Sequence, residues 1–355
     1  MLLTSPGMIQ ESTAVSPRIL IVRLSHLGDC VHALPLFHAL RERHPQAEIG
    51  WVIQREFQSL VEGLPGLSAC FAFEREGGLS GYGRSWSQLG AFGAEWAIDA
   101  QGNGKSAALL LASRAHRRTG RARSDWQEPF FSGVLTDSAA PQTGPHALDA
   151  TRALVRHVAP GARWRTDLAI ADEEHAAARE WLHAQGAPAR PSLVLHLSRP
   201  NDIRAWPAEH CARLVELCRA RGQGVLCVRG PQEATHFAEF DARFAGDHGV
   251  LHWRDRSDLR QLAALLEVLR DSGATFVGPD SGPIHLAAAS GMRTLCLAGP
   301  QAHERTGPQP GRSLRRADGP VCAPCLQREC THDSGPICMQ ISPQEVLAAL
   351  EDRER

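Results

Sequence analysis

Two turns that lie far apart in the chain carry the residue types needed to bind an anion and to move a proton. The first is Ser25-His26-Leu27-Gly28-Asp29, which follows the apolar run Arg18–Leu24. The second is Pro279-Asp280-Ser281-Gly282-Pro283-Ile284-His285, which follows Thr275–Gly278. In each, a β-type apolar run meets a polar turn and then a stretch with helical spacing. A carboxylate at such a turn either caps the helix or faces the cleft as a base; for Asp29, position alone favours the cap, which needs no partner. Asp280-Ser281 can cap the second helix, Pro283 suits its first turn and Gly291 its exit. Helix amides in such a turn can point at an anionic group with no side chain in the way.

A separate constellation lies near the carboxyl terminus. Cys322, Cys325, Cys330 and Cys338 are spaced so that four thiolates could surround one structural zinc or iron. Reduced free thiols or redox pairs are the other reading. A closed four-thiolate site leaves no coordination position open for catalysis. The remaining six of the ten cysteines fall on apolar faces and read as core.

The elements that must position these residues follow a βα alternation. Strands are predicted at Ile19–Leu24, Glu48–Ile53, Ala69–Phe73 and Trp96–Ala100, and a helix from about His146 to Val158. The Pro/Gly/Arg-rich stretch Ala159–Arg165 is the hinge candidate. The pattern then restarts with strands at Leu193–Leu197, Gly224–Arg229, Val250–Trp253, Ala274–Gly278 and Thr294–Ala298. Two modules of this kind imply an α/β chain with two Rossmann-like domains facing each other across a cleft. The expected division is a disordered tail over 1–17, a first domain over 18–160, a second over 161–342 and a closing segment over 343–355.

Composition fits a two-domain enzyme: 355 residues, 43% of them hydrophobic, can supply two cores. A formal net charge of −1 gives no reason to expect nucleic acid. No apolar run approaches the ~20 residues that span a bilayer, and residues 1–17 lack the apolar core of a signal peptide. A cytoplasmic protein is expected, with cysteines that are free thiols, metal ligands or core fillers.

Taken together, the motifs resemble glycosyltransferase family 9, the bacterial heptosyltransferases of lipopolysaccharide core assembly. Gly28-Asp29 with Pro35 matches the amino-terminal motif and Asp280-Ser281-Gly282-x-x-His285 the donor motif. Asp99-Ala-Gln101-Gly102-x-x-Lys105-Ser106, His146–Arg152 and Arg204-Ala-Trp206-Pro207 have counterparts in the same order. The resemblance implies the GT-B architecture, with the acceptor on the first domain, a nucleotide-sugar on the second, and the helix near Pro343–Glu351 crossing back to the first. It implies inverting transfer of heptose from ADP-heptose to Kdo-lipid A or a heptosylated inner core, without a cofactor for catalysis. The enzyme would touch the cytoplasmic face of the inner membrane peripherally. A four-cysteine cluster occurs in some members and not in others.

The same resemblance assigns roles. Asp29 is the matched base. Arg204 stands where the family usually has Lys and would neutralise the diphosphate with a planar fork rather than a point charge; a solvated arginine is its plain alternative. Ser281 and Gly282 would donate to the phosphates, Ser198 could add a hydroxyl, and Asp280 would accept from sugar hydroxyls. His285 is either structural or a contact to sugar or diphosphate. Glu233 would hold the ribose hydroxyls, or cap a surface helix. Lys105 and Arg152, with Arg121 and Arg123, would bind the anionic acceptor.

Two other classes stay open on the residues alone. A dinucleotide oxidoreductase would need Gly-x-Gly-x-x-Gly after the first strand, where Leu24–Asp29 holds a single glycine. A metal-ribbon binding protein would rest on Cys322–Cys338 alone, against the neutral charge.

Overall fold

The computed structural model describes residues 16–352 apart from 75–77, 187–189, 231, 232, 234, 235, 255 and 257, with residues 78–82 described by backbone alone. The first half runs β1 (Arg18–Val22), α1 (Leu27–Val31), α2 (Leu34–Arg43), β2 (Glu48–Gln54), α3 (Gln58–Glu62) and β3 (Leu67–Phe73). It continues with α4 (Gly78–Phe92), β4 (Trp96–Asp99), α5 (Gly104–Ala112), β5 (Arg117–Gly120), β6 (Asp137–Ser138) and α6 (Ala147–Val158). The second half runs α7 (Asp172–Ala184), β7 (Pro191–His196), α8 (Ala208–Arg219), β8 (Gly224–Val228), α9 (Ala238–Arg243), β9 (Val250–Trp253) and α10 (Leu259–Arg270). It closes with β10 (Thr275–Pro279), α11 (Gly282–Ala289), β11 (Arg293–Leu297), α12 (His303–Thr306), β12 (Arg312–Leu314) and α13 (Pro343–Glu351).

Ile19, Leu20, Ile21 and Val22 of β1 are each at most 1% exposed, although their side chains alternate between the faces of the sheet. Such a strand must be covered on both sides, as in a parallel sheet flanked by helices. Two six-stranded sheets result, ordered β3-β2-β1-β4-β5-β6 and β12-β11-β10-β7-β8-β9. The pairings are parallel throughout. In the first sheet the strand order reverses between β1 and β4, and in the second between β7 and β10. At such a switch point the two loops diverge to opposite faces and leave a crevice at the carboxyl ends of the strands. The loops that carry Asp29, Lys105, Ser198 and Arg204, and Asp280 leave these four strands, whereas Arg121 and Arg123 follow β5 and Glu233 follows β8.

The helix signals work as local chemistry dictates. Pro35 and Pro283 sit in the first turns of α2 and α11. Gly291 lies just beyond α11 at φ +72°, a left-handed position that favours glycine. One hydrophobic cluster runs through both halves, joining Ile19, Trp51 and Leu154 to Val194, Leu266 and Phe276.

The chain crosses from the first sheet to the second once, between α6 and α7. The closing helix corrects the sequence expectation. α13 does not cross back: Val346 and Leu347 bury into the second half's own cluster with Leu214 and Val215 of α8. The chain leading into it is pinned there by the Trp206 indole, which donates to the Ile341 carbonyl at 2.9 Å.

Candidate active site

β1 ends one residue before Arg23, whose backbone is held by its neighbours. Its N–H donates to the Val52 carbonyl at 3.3 Å and its carbonyl accepts from the Trp51 indole at 3.2 Å. The Arg23 side chain is 4% exposed; one end of the guanidinium donates to the Ala100 carbonyl at 2.5 Å and the other pairs with Asp29. Asp29 sits in the first turn of α1, where its carboxylate also accepts the His26 N–H at 3.4 Å. Its side chain is 34% exposed, in the loop that leaves β1 at the switch point. Burial would raise this carboxyl, but Arg23, then His26, His32 and Arg121, outweigh it and hold it well below the usual carboxylate range. Asp29 is thus both a helix cap and an ionised group at the cleft.

The β4 loop braces this turn. Gln101 accepts from the Leu24 N–H at 3.0 Å and the Ser25 N–H at 3.3 Å, tying the loop after β4 to the loop after β1. Asp99, fully buried, accepts from the Gln101 and Gly102 amides at 2.7 and 2.8 Å. Burial raises its carboxyl despite these bonds and Arg121. Arg121 itself is lowered to about 10, by burial first and then by Arg23, with Asp29 and Asp99 opposing. Its Nε is buried without a partner, so this cation has donor capacity to spare. Lys105, near the start of α5, and Arg123 are exposed. Of these cations Arg121 is close enough to lower the Asp29 carboxyl.

Arg152 does something other than predicted. It donates to Asp149 at 2.8 Å and, across the halves, to Gln309 at 3.0 Å. His146 makes a parallel tie to the Gly307 carbonyl at 2.9 Å. Its Nδ1 accepts the Leu148 N–H, so Nε2 carries the proton donated to Gly307. This motif therefore fastens the first half to the second.

On the second half, Arg204 is anchored rather than solvated. Its fork binds Asp202 at 2.8 and 2.6 Å, and Nη1 donates to the Asp280 carbonyl at 2.8 Å. The bonds to Asp202 raise its already high pKa, so it is a fixed cation between the loops after β7 and β10. Asp280 is 5% exposed, and both carboxylate oxygens are used within the protein. One accepts from His285 Nε2 at 3.1 Å and the other from the Thr306 hydroxyl at 2.5 Å. Its contacts are those of a group that positions the turn.

Ser281 heads α11 but does not cap it with its side chain, contrary to expectation. The extended backbone at Ser281 turns the hydroxyl toward the Pro279 carbonyl at 3.3 Å and His196 Nδ1 at 3.2 Å. The amide end of α11 is left without a side-chain cap. Ser198 lies half-buried in the loop after β7. Glu233, beyond β8, is 15% exposed and pairs with Arg199 at 3.3 Å.

α1 and α11 meet head to head. A Cβ on Gly282 would come within 2.6 Å of Leu27, and one on Gly28 within 2.7 Å of the His285 ring. His32 packs edge-on to His285 at 4.8 Å between ring centroids, with His146 6.0 Å from His32. Burial, then the neighbouring His285, pushes His32 well below the ordinary histidine value. The sequence did not point to His32, His196 or Arg23. For Arg23 the one signal was a charged residue directly after the apolar run Ile19–Val22.

The four cysteines do not form a ligand shell as placed. Among the described residues no group of three or more His, Cys, Asp or Glu side chains is arranged to hold a metal ion. Cys338 is buried beneath Gly299 with Met339, whereas Cys322 is exposed. Burial raises the Cys338 thiol, and Cys325, Cys330 and Cys322 add to it.

Comparison with known proteins agrees with this geometry. The model of glycosyltransferase family 9 (heptosyltransferase) matches residues 82–334, more than half of the chain. The chain is 27% identical to lipopolysaccharide heptosyltransferase 1 of Pseudomonas aeruginosa, over 94% of this chain and 97% of that protein. It is 22% identical to the lipopolysaccharide core heptosyltransferase OpsX of Haemophilus influenzae, over 83% of each. Among solved structures, a family 9 glycosyl transferase from Veillonella parvula superposes with a TM-score of 0.78 at 20% identity, covering 95% of this chain and 96% of that one. Heptosyltransferase WaaC of E. coli with ADP gives 0.70 at 22% identity, over 94% and 99%. The dehydrogenase and metal-ribbon readings give way, and the chain belongs to glycosyltransferase family 9, the heptosyltransferases, an enzyme of GT-B architecture.

Proposed function

We propose that this enzyme transfers a heptose with inversion from ADP-heptose to an anionic core acceptor, Kdo-lipid A or a heptosylated inner core. The observation that carries the reading is the contact of α1 with α11. It sets the ionised Asp29 of one switch point against the open amide end of α11 at the other.

In this reading Asp29 takes the proton of the acceptor hydroxyl as that oxygen attacks the anomeric carbon from the face opposite the diphosphate. The bond to the diphosphate breaks and ADP leaves with its charge on Arg204, the Gly282 amide, and the Ser281 and Ser198 hydroxyls. Glu233 holds the ribose. Lys105 and Arg121, with Arg123 at the rim, hold the acceptor's carboxylates or phosphates. Asp280 and His285 act by shaping the donor turn. The WaaC structures contain ADP and ADP-2-deoxy-2-fluoro heptose, which supports the choice of donor.

No helix among the described residues is long and apolar enough to cross a membrane. We place the enzyme at the cytoplasmic face of the inner membrane through its lipid-linked acceptor. The division into domains at about residue 160 belongs to the same proposal. A structural zinc or iron rests on the cysteine spacing alone and requires the 322–338 loop to close further than it does here. Elemental analysis of protein purified without a His tag should show about one metal per chain, and metal-free protein of full stability refutes it.

Isothermal titration against a panel of nucleotide-sugars tests the central reading. ADP-heptose should bind, and more tightly than UDP- or GDP-sugars or NAD. Equal or tighter binding of any of these would overturn the donor assignment.

A further inference from the structure

We propose that Arg23 is the positioning residue of the transfer reaction: its buried guanidinium, fixed by the Ala100 carbonyl, holds the Asp29 carboxylate in the orientation and with the countercharge that the acceptor hydroxyl meets. The inference rests on the reading of Asp29 as the base.

Arg23 is built for a fixed place. Its backbone N–H and carbonyl are bound to Val52 and to the fully buried Trp51, and β1 behind it is fully buried. The side chain is 4% exposed, and its Nε has no partner. A buried arginine left partly unsatisfied is costly, and a surface helix cap would not require one. The carboxylate it grips is, by contrast, 34% exposed. One partner is locked into the sheet while the other opens to the cleft.

The other charged or titratable groups that face Asp29 cannot substitute. His26 is 87% exposed, with Nδ1 3.7 Å from the carboxylate. His32 is held below its ordinary value by burial and by His285 from the opposite half, and ranks after Arg23 and His26 among the groups that lower Asp29. Arg121 is farther in effect than Arg23, the last of the causes that lower Asp29. The thiol of Cys30 is pushed up by burial and stays neutral. Removing Arg23 would leave burial, the strongest influence on Asp29, opposed by weaker partners, and its carboxyl would rise.

The test uses full-length enzyme with Arg23→Met, Arg23→Lys and Asp29→Asn, each first checked for folding by circular dichroism and thermal melting. Turnover and KM for both substrates are measured from pH 4.5 to 9. Arg23→Met should lower kcat about 10²-fold, at the low end of what general-base loss costs, with donor KM near the parent's. Its pH–rate profile should gain an acid limb that the parent lacks, and Arg23→Lys should recover most of the rate and lose that limb. If Arg23→Met fails to fold, Arg23→Gln takes its place with the same expected loss of rate and the same acid limb, and a parental rate and profile in Arg23→Gln overturns the proposal. Parental rate and profile in Arg23→Met, or a fall in rate that tracks donor KM without an acid limb, also overturns it while leaving Asp29 as base. An Asp29→Asn enzyme that turns over normally removes the base itself and the positioning role with it.

Discussion

Gly28 of the first half and His285 of the second touch so closely that a methyl group on the glycine would lie 2.7 Å from the imidazole Cδ2. His285 cannot swing away cheaply, because it is 7% exposed and bonded to Asp280 at 3.1 Å. Gly28→Ala should therefore force α1 off α11, at about 1–3 kcal/mol, the usual cost of overpacking. Thermal melting should show a drop of several degrees, and turnover should fall because Asp29 moves with α1. Gly133→Ala, which meets nothing within 4 Å, is the control and should melt like the parent.

Asp29→Asn should lower turnover by about 10²–10⁴-fold with donor affinity near the parent's. The ion pair with Arg23 adds a second outcome. Asn can accept one bond from the guanidinium but carries no charge, so melting should fall modestly rather than stay at the parental value. Steady-state kinetics beside calorimetry separate the two effects.

Arg204→Ala should weaken ADP binding by roughly ten- to a hundredfold, the range for a charge-assisted hydrogen bond. Arg204→Lys should recover only part of this. A lysine can supply charge but cannot span Asp202 and the Asp280 carbonyl as the fork does. Titration calorimetry with ADP is the measurement, and full recovery by lysine would show that charge alone matters.

Stability should fall as the medium is acidified. Burial, then Arg204, pushes His196 down to about 4, while Asp202 opposes them. Between the ordinary histidine value near 6.5 and 4 the unfolded chain binds a proton that the folded chain refuses, so stability rises with pH across that window and is lost on descent. Each unit is worth about 1.4 kcal/mol, or on the order of 3 kcal/mol by pH 4. His146 and His38 are lowered too, by burial first, and act in the same direction. Asp29, whose folded value is depressed, stabilises above the ordinary carboxylate value and contributes no slope here. His196→Asn should flatten part of the melting-temperature profile between pH 7 and 4.5.

The sequence made the turns legible because each apolar run that ends in a polar turn is a local event. Ile19–Val22 and Phe276–Gly278 announce the strands, and Pro35 and Pro283 announce the helix starts that follow. β5, β6 and β12 escaped notice for an equally local reason. Their residues, Arg-Arg-Thr-Gly, Asp-Ser and Arg-Ser-Leu, are polar pieces lying toward or at the sheet edges, where burial is not required on both faces. What the pattern could not reveal was partnership. Arg152 reads as a free cation until Gln309 is beside it, and Asp280 reads as a sugar acceptor until His285 and Thr306 occupy its oxygens. Similarly, the return of α13 to the first half was an inherited expectation, which its apolar face on α8 overrides.

Because α13 stays with the second half, a single stretch of backbone joins the two sheets. On the proposed division of labour, the acceptor and donor halves are then exchangeable between relatives with one splice between α6 and α7. Compatibility would be decided along the whole contact between the halves: Leu27 and Gly28 against a glycine and a histidine, the His146–Gly307 and Arg152–Gln309 bonds, and the apolar cluster that both halves share. New pairings of sugar and acceptor assembled at that splice would work only where the side chains along this shared contact match.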